Sequence, residues 1–360
     1  MVRILHAADF HLDSAFGALT EAQARQRRQE SRTLVERMVD YANDHGVQLL
    51  LLAGDLFDSD DIYAQTGELL AQALRRFAGH AVIAPGNHDC CSSRSAYVRI
   101  RWPENVHIFT EDRSSQFDFP QYGCTVYGAA FTAPEASDCA LPESLPEDGM
   151  VHLGVLHGDL GVKDSRYRSI SPEQIAASGL DYLALGHIHS CSGIQRAGKT
   201  VYAYSGCLEG RGFDETGEKG FLLGDVAQGS AELTFVPFAQ HRYELLEVDI
   251  THREITEAVT ERLPEDTTAD IYRIVLTGET DEPIRMGRLE RDLEGRFFQL
   301  ELRDQTRLRR DIWEKCGEDS LRGIFLQKLR EKYDSADEDE RATIEQAVRF
   351  GLAAMENREL

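Results

Sequence analysis

The chain has 360 residues, 42% of them hydrophobic and 28% charged, so it is long enough to bury a full core and too hydrophobic to be a disordered chain. No apolar run approaches the ~18 residues that a membrane span needs, which excludes a spanning protein. The formal net charge of −23 argues against a chain that binds bulk nucleic acid unaided, because such proteins present basic surfaces to the phosphate backbone.

The N-terminus and the cysteines predict the compartment. The first residues enter a predicted strand directly, without a hydrophobic segment followed by a cleavage site. Seven cysteines are an odd number spread over a long chain, which fits free thiols better than a disulfide framework. We therefore expect a cytoplasmic protein.

The first part of the chain alternates predicted strands and helices. Residues 2–8, 47–53 and 81–84 are predicted strands because nearly continuous apolar residues end at a turn residue. Thr20 and Gln23 form a predicted capping box for a long helix that ends near Gly46, and a second helix is predicted over residues 62–77.

Predicted strands dominate the chain after these helices. They cover residues 124–129, 151–156, 182–185, 201–204, 221–226 and 233–238. The change from β-α-β alternation to a strand-rich half predicts the α/β class, with two sheets that pack face to face and helices outside them, a four-layer αββα sandwich.

A smaller unit is predicted after this sandwich. Strands at 243–250, 271–276 and 297–302 alternate with helices at 254–262 and 286–293. Two amphipathic helices follow, with apolar faces formed by Leu321, Phe325 and Leu329 and by Ile344, Val348, Leu352 and Met355. We therefore predict domains at residues 1–240, 241–305 and 306–360. Docking of the last helices on their own domain and docking on a partner both stay open.

Residues with metal-binding side chains follow five of the predicted strands. These residues are Asp9, His11, Asp55, Asn87, His157, His187 and His189. Because ligands bind beyond the carboxyl ends of strands in open α/β sheets, we expect these side chains to converge. Carboxylates, imidazoles and one amide oxygen favour Mn²⁺, Fe or Zn²⁺ in a catalytic site over a structural zinc site, which would prefer cysteine.

Seven ligands are more than one ion needs when it must also leave room for a substrate. A carboxylate such as Asp55 can bridge two ions, and two ions together activate a water molecule and hold the attacking and leaving oxygens of a phosphoryl group. The ligand set therefore predicts phosphoester hydrolysis. His88, beside Asn87 but not needed as a ligand, is predicted to contact the phosphate or to protonate the leaving oxygen.

The five motifs, in this order, resemble the calcineurin-like metallophosphoesterase superfamily. Residues 6–13, 54–58 and 182–189 resemble the SbcD and YhaO type of DNA-repair exonuclease subunit, and the runs 204–211 and 215–220 resemble the YhaO-like branch especially. This resemblance implies a metallophosphoesterase sandwich, a small α+β capping domain at residues 241–305, and terminal helices that bind an SbcC-like coiled-coil ATPase.

The resemblance also implies how the site works. One metal would be held by Asp9, His11, Asp55 and His189, and a second by Asp55, Asn87, His157 and His187, with Mn²⁺ as the usual ion. His88 would stabilise the transition state. Asp58 stands where some nucleases of the group have a histidine implicated in exonuclease action, so it is a catalytic candidate and leaves the balance of exonuclease and endonuclease activity open.

Three functions remain to be compared. The first is a Mn²⁺-dependent DNA nuclease subunit, whose ATPase partner would supply much of the DNA-binding surface that an acidic chain lacks. The second is a phosphatase or phosphodiesterase for small esters, which the net charge mildly favours. The third is a structural adaptor, which would have no need of the complete ligand set. Relatives are often dimeric, but no motif decides between a monomer and a homodimer.

Overall fold

A computed structural model describes residues 1–17, 19–142 and 144–356. The chain divides into two compact units, Met1–Arg242 and Tyr243–Leu360. The strands described in the first unit are β1 (Val2–Ala7), β2 (Leu49–Leu52), β3 (His80–Ile83), β4 (Val106–Ile108), β5 (Ser115–Phe119), β6 (Cys124–Gly128), β7 (Val151–His157), β8 (Tyr182–Gly186), β9 (Gln195–Ala197), β10 (Thr200–Tyr204), β11 (Gly220–Ala227) and β12 (Ser230–Pro237). Its helices are α1 (Glu21–Asp44), α2 (Ala64–Arg76), α3 (Ala96–Arg99) and α4 (Pro172–Ser178).

These strands form two mixed sheets. The first has the order β12-β11-β1-β2-β3-β4, in which β1 to β4 run parallel and β11 pairs antiparallel with β1 and β12. The second has the order β5-β6-β7-β8-β10-β9, in which the inner strands are parallel and both edge strands are antiparallel. The parallel inner strands bring their carboxyl ends to one edge of each sheet.

Successive side chains of each strand point to opposite faces of its sheet, and together they form three separate apolar clusters. Ile4 of β1 and Leu51 of β2 point towards Val155 of β7 and form the core between the sheets. The next residues, Leu5 and Leu52, face the opposite side and pack in a cluster with the apolar faces of α1 and α2. A third cluster covers the outer face of the second sheet with residues of α4. Helices therefore lie outside two stacked sheets, and the predicted α/β sandwich is confirmed.

Helix α1 shows why its predicted boundaries are correct. The side chain of Thr20 accepts a hydrogen bond from the backbone of Gln23, and the Gln23 side chain accepts one from the backbone N–H of Thr20. This reciprocal capping satisfies backbone donors that the first turn leaves without partners. Leu34 and Met38 bury one face of the helix, which ends at Asp44, two residues before Gly46.

The second unit contains β13 (Tyr243–Asp249), α5 (Ile255–Thr260), β14 (Ile271–Thr277), α6 (Met286–Asp292), β15 (Gln299–Asp304), a 3-10 helix (Arg310–Gly317), α7 (Leu321–Tyr333) and α8 (Glu338–Met355). The strands form a parallel sheet with the order β13-β14-β15. A separate apolar cluster packs Val348 and Leu352 of α8 against Leu326 of α7. The boundary between the predicted domains 241–305 and 306–360 stays a prediction. Across the described residues, no helix has the length and apolar character needed to cross a membrane.

Candidate metal centre

The ends of three strands are tied together by backbone hydrogen bonds. The N–H of Asp9, after β1, donates to the carbonyl of Gly54 at 3.0 Å, and the N–H of His11 donates to the carbonyl of Asp55 at 2.9 Å. The N–H of His187, after β8, donates to Asp9 Oδ1 at 3.0 Å. These bonds bring residues that are far apart in sequence to one point at the edge of the two sheets.

Four of the predicted ligands have an unusual backbone conformation. Their φ angles are positive: 55° at Asp9, 44° at His11, 51° at Asp55 and 109° at His187. Side chains other than glycine rarely adopt this region because it costs steric strain, and such strain concentrates at functional sites. The backbone is bent sharply after each strand, and the bend directs these side chains towards one another.

The side chains form three groups, each with ligand atoms within 4.8 Å of one another. Two of the groups share His11, and the remaining group is linked to them because Asp55 Oδ2 lies 3.7 Å from His11 Nε2. The groups are Asp9, His11 and His189; Asp55, His157 and His187; and His11, Asp58 and His88. Asn87 joins the second group, because its Oδ1 lies 3.0 Å from His157 Nε2. The structure thus brings all seven predicted ligands and both predicted catalytic residues into one site.

The charges of this site fit divalent cations. Asp9 and Asp55 are almost completely buried, and buried carboxylates need a compensating positive charge. Burial, together with the nearby Asp55 carboxylate, raises the pKa of Asp9 to about 6 despite the opposing effect of His157. Burial would also raise the pKa of Asp55, but the adjacent His157 imidazole holds it well below its usual value. Hard oxygen donors and imidazoles are a ligand set suited to Mn²⁺, Fe and Zn²⁺.

Each imidazole has a partner that orients its ring. His157 donates from Nδ1 to the carbonyl of Ala53 at 2.9 Å, so its Nε2 is left for the cluster. His187 Nε2 lies 3.3 Å from Asp159 Oδ1, which leaves Nδ1 for the cluster. Partners of this kind fix the tautomer of a metal-binding histidine and raise its basicity.

The remaining two imidazoles, like that of His187, are oriented by carboxylates. His189 donates from Nδ1 to Glu215 Oε1 at 2.7 Å, and His11 Nδ1 lies 3.2 Å from Asp58 Oδ1. Their Nε2 atoms face each other at 3.2 Å, a distance that a shared cation would span. Burial lowers the pKa of His189, but the hydrogen bond to Glu215 and the nearby Asp9 carboxylate together outweigh burial and raise the pKa above its usual value.

Sequence reasoning from strand ends did not identify Asp159, Arg211 and Glu215. Arg211 donates from Nη1 to Asp58 at 3.0 Å and from Nη2 to Glu215 at 2.6 Å. A signal existed for two of these residues, because Arg211 and Glu215 lie in the run 204–220 on which the YhaO-like resemblance depends. Asp159 follows His157 by two residues without any recognisable pattern.

The side chain of His88 is more exposed than those of the predicted ligands. Its backbone N–H donates to Asp55 Oδ1 at 2.9 Å, whereas its side chain is exposed and donates from Nδ1 to the carbonyl of Asp58 at 3.1 Å. The ring stands edge-on to that of His11, with 4.8 Å between centroids. The remaining nitrogen, Nε2, is therefore free to meet a substrate.

Comparison with known proteins identifies the class. The calcineurin-like phosphoesterase family matches residues 2–191, a stretch that contains every predicted ligand, and the chain belongs to this family. The predicted superfamily is confirmed, and the protein is a member of a phosphoesterase family that uses divalent metals, with candidate metal-binding groups at its strand ends.

Individual relatives narrow the class to the SbcD and YhaO type. The chain is 30% identical over 298 residues to the uncharacterized metallophosphoesterase YhaO of Bacillus subtilis strain 168, covering 77% of this chain and 72% of YhaO. It is 23% identical over 259 residues to the SbcD component of the nuclease SbcCD of the same organism, covering 60% and 64%. It is also 23% identical over 359 residues to the DNA double-strand break repair protein Mre11 of Methanopyrus kandleri, covering 91% and 76%.

Proposed function

We propose that this protein is a metal-dependent DNA nuclease that cleaves phosphodiester bonds in DNA repair and works with an SbcC-like coiled-coil ATPase. The observation that carries the hydrolytic part is the convergence of seven donors whose four imidazoles are already oriented by hydrogen-bonding or ion-pair partners. The choice of DNA is supported by the names of two relatives, a nuclease component and a double-strand break repair protein.

Two divalent ions, most simply Mn²⁺, would occupy the site. Asp9, His11 and His189 would hold one ion, Asn87, His157 and His187 would hold the other, and Asp55 would be shared. When bound, such a pair of ions supplies an activated water molecule as the nucleophile and neutralises charge that develops on the phosphoryl oxygens. The support for this assignment is the position of the buried Asp55, whose Oδ2 lies 3.7 Å from His11 Nε2 and 3.4 Å from His157 Nε2.

His88 would act on the leaving oxygen. Its Nδ1–H is held by the Asp58 carbonyl, so protonation takes place at Nε2, which can donate a hydrogen bond to the phosphate or transfer a proton to the departing oxygen. Asp58 would contribute through its carboxylate, which contacts His11 and Arg211. The substrate would then lie over the exposed side of the site.

The ATPase would bind the terminal helices. Leu321 and Ile324 of α7 have exposed fractions of 72% and 53%, which is unusual for apolar side chains on a helix that also has a packed face. Changing both residues to Glu should abolish co-purification with the SbcC-like ATPase of the same organism. Changing Leu245, an apolar residue of β13 with 50% exposure, should not. Retained binding in the double variant would place the interface elsewhere.

We also propose a cytoplasmic location, supported by seven free cysteines in the described part of the chain. Association into a homodimer is left to measurement of the mass in solution.

The decisive experiment compares substrates. Metal-stripped protein reconstituted with Mn²⁺ should cleave labelled linear duplex and single-stranded DNA, with greater activity when the ATPase is present. Asp55→Asn should abolish cleavage, whereas Asp225→Asn, at a carboxylate that pairs with Arg3 on the first sheet, should leave it unchanged.

The net charge of −23 favours a second candidate, a phosphatase or phosphodiesterase that acts on small esters. A small substrate needs no extended basic surface, so an acidic chain could bind it without a partner. Efficient turnover of small phosphate esters without any cleavage of DNA, even with the ATPase present, would replace the nuclease proposal by this alternative.

A further inference from the structure

Arg211 lies behind the pair of imidazoles formed by His11 and His189. It contacts both carboxylates that orient this pair, Asp58 on one side and Glu215 on the other. We propose that Arg211 is a positioning residue that fixes His11 and His189 through Asp58 and Glu215, so that binding of one of the two divalent cations depends on it. This inference rests on the proposed two-metal site.

Glu215 is held from three directions. The backbone N–H of Arg211 donates to Oε2 at 2.7 Å, while Oε1 accepts from Arg211 Nη2 at 2.6 Å and from His189 Nδ1 at 2.7 Å. The carboxylate is only 5% exposed. Because the arginine occupies both oxygens, the carboxylate cannot rotate away from the imidazole, and the Nε2 atom of His189 stays directed towards His11.

Asp58 forms the other half of this arrangement. Its Oδ1 lies 3.2 Å from His11 Nδ1 and 3.0 Å from Arg211 Nη1, so the same oxygen contacts the imidazole and the guanidinium. A planar guanidinium presents several N–H donors in fixed directions, which suits it to bridge two carboxylates. A lysine ammonium in this place would be a single point charge and would bridge them less well.

The charge of Arg211 also matters for the ion. Asp58 and Glu215 both approach the same imidazole pair, and two carboxylates near one another repel unless a cation lies between them. Arg211 provides that cation without occupying the space between the two Nε2 atoms. Without it, the two carboxylates would be expected to move apart, and both rings would lose their orientation.

The second pair of imidazoles does not use this arginine. His157 is oriented by the carbonyl of Ala53 and His187 by Asp159, and the described hydrogen bonds of Arg211 involve neither of these groups. Removal of Arg211 should therefore weaken one ion and spare the other. That asymmetry distinguishes a positioning role from general support of the fold.

The loop that carries Arg211 is anchored at its other end as well. Glu209 Oε1 forms an ion pair with Nη2 of Arg27 in α1 at 2.6 Å. Glu209 Oε2 accepts a hydrogen bond from the backbone N–H of Gln240 at 3.2 Å. Both Arg27 and Glu209 are buried. The loop is thus tied to α1 at Glu209 and to the metal centre at Glu215, which limits how far the backbone around Arg211 can adjust.

The test is a calorimetric titration of metal-stripped full-length protein with Mn²⁺. Wild type should bind two ions. Arg211→Ala and Arg211→Gln should each bind one ion with wild-type affinity and the other roughly 10- to 100-fold more weakly, the range found when partners of metal-bound histidines are removed. Arg273→Ala is the matched control, since Arg273 has the same 23% side-chain exposure and pairs with Glu301 at 2.8 Å in the second unit.

The outcomes separate the two proposals. Two Mn²⁺ ions of wild-type affinity in either folded Arg211 variant would overturn the positioning role, even if activity falls. A raised KM with unchanged metal binding would also overturn it, because it would assign Arg211 to substrate contact. Failure of wild-type protein to bind two ions would instead overturn the proposed two-metal function. Near-ultraviolet circular dichroism identifies the variants that are folded.

Discussion

His88 differs from the other residues of the centre in having an exposed side chain whose Nε2 is uncommitted. We expect His88→Ala to lower the rate of phosphodiester hydrolysis by about 10²- to 10⁴-fold, the usual contribution of a general acid. Its backbone N–H, which supports Asp55, remains in the variant. Mn²⁺ content should therefore be unchanged, as measured by atomic absorption after gel filtration. Loss of metal together with activity would make His88 a ligand instead.

His6 lies in β1, fully buried between the sheets. Its Nδ1 accepts a hydrogen bond from the Tyr182 hydroxyl at 2.8 Å, and its Nε2 donates to the carbonyl of Leu185 at 3.1 Å. Burial lowers the pKa of His6 from 6.5 to about 3. Between these values the unfolded chain is protonated and the folded chain is not, so the free energy of unfolding falls as pH decreases from 6.5 towards 3.

The predicted pH effect of His6 is about 1.4 kcal/mol per pH unit, or roughly 2 kcal/mol between pH 6.5 and pH 5. His6→Gln keeps a donor and an acceptor but does not titrate. Urea unfolding of metal-free protein at both pH values should therefore show a smaller loss of stability in the variant than in wild type. Equal losses in the two proteins would assign the acid sensitivity to other groups.

Single residues also show where sequence reasoning was sufficient. The convergence of the seven predicted ligands could be predicted because each follows an apolar strand, and parallel strands bring their carboxyl ends together. Their binding of metal stays a prediction. Arg211 carries no such local mark, and Asp159, although it comes two residues after His157, belongs to no recognisable pattern. Their roles depend on partners such as Asp58, 153 residues from Arg211 in the chain, and that proximity exists only after both sheets have formed.

Some strands and helices were likewise predicted from the sequence, and others were not. Central strands such as β7 and β8 were predicted because both faces are buried and the sequence is continuously apolar. The edge strand β5 was missed because Ser115, Gln116 and Asp118 are exposed, and its pairing with β6 defines it more than its own apolar residues do. Helix α4 was also missed, although Ser171 and Gln174 form a capping box that the sequence contains.

The end of β8 approaches β2 so closely that only glycine fits. A methyl group at Gly186 would overlap the carbonyl oxygen of Ala53 and lie 2.9 Å from the Ala8 side chain. That carbonyl is the acceptor for His157, so Gly186→Ala should disturb the metal centre and the packing of the sheets together. We expect a loss of about 1–3 kcal/mol in the free energy of unfolding and weaker Mn²⁺ binding.

Gly287→Ala is a suitable control for this prediction. Gly287 lies in α6, and a methyl group there would meet no atom within 4 Å. Alanine should leave stability unchanged or raise it by up to about 1 kcal/mol, since glycine is a poor helix former. Urea unfolding and Mn²⁺ titration of both variants give the comparison. Unchanged metal affinity in a folded Gly186→Ala variant would contradict the dependence of the centre on this close approach.

At the scale of the whole molecule, the net charge of −23 has to be reconciled with the proposed DNA substrate, which is a polyanion. Bound divalent cations would reverse the sign of the potential at the centre itself, where Asp9 and Asp55 concentrate negative charge. They would do little for the rest of the surface, because salt screens exposed charges over about 10 Å. A partner with a basic surface is therefore expected to contribute more to DNA affinity than to the chemical step.

The same buried charges predict that the stability of the fold depends on bound metal. Asp9 and Asp55 are buried close together, and the metal-free protein compensates them only in part through imidazoles. A ligand that binds only the folded state adds about 2.7 kcal/mol at a concentration 100 times its Kd, so two such ions would add about 5 kcal/mol. Chelation of Mn²⁺ should therefore lower the Tm by an amount on the order of 10–20 °C.

The variant Asp9→Asn makes this prediction specific, because it removes a buried negative charge that interacts with Asp55. Metal-free Asp9→Asn should unfold at a higher temperature than metal-free wild type, since the remaining Asp55 carboxylate no longer faces a like charge. In excess Mn²⁺ the order should reverse, because the variant has lost a charged ligand and gains less from the ions. Scanning calorimetry of both proteins with Mn²⁺ and with a chelator measures this crossing. A variant less stable than wild type under both conditions would mean that Asp9 supports the fold chiefly through its hydrogen bond from the His187 N–H.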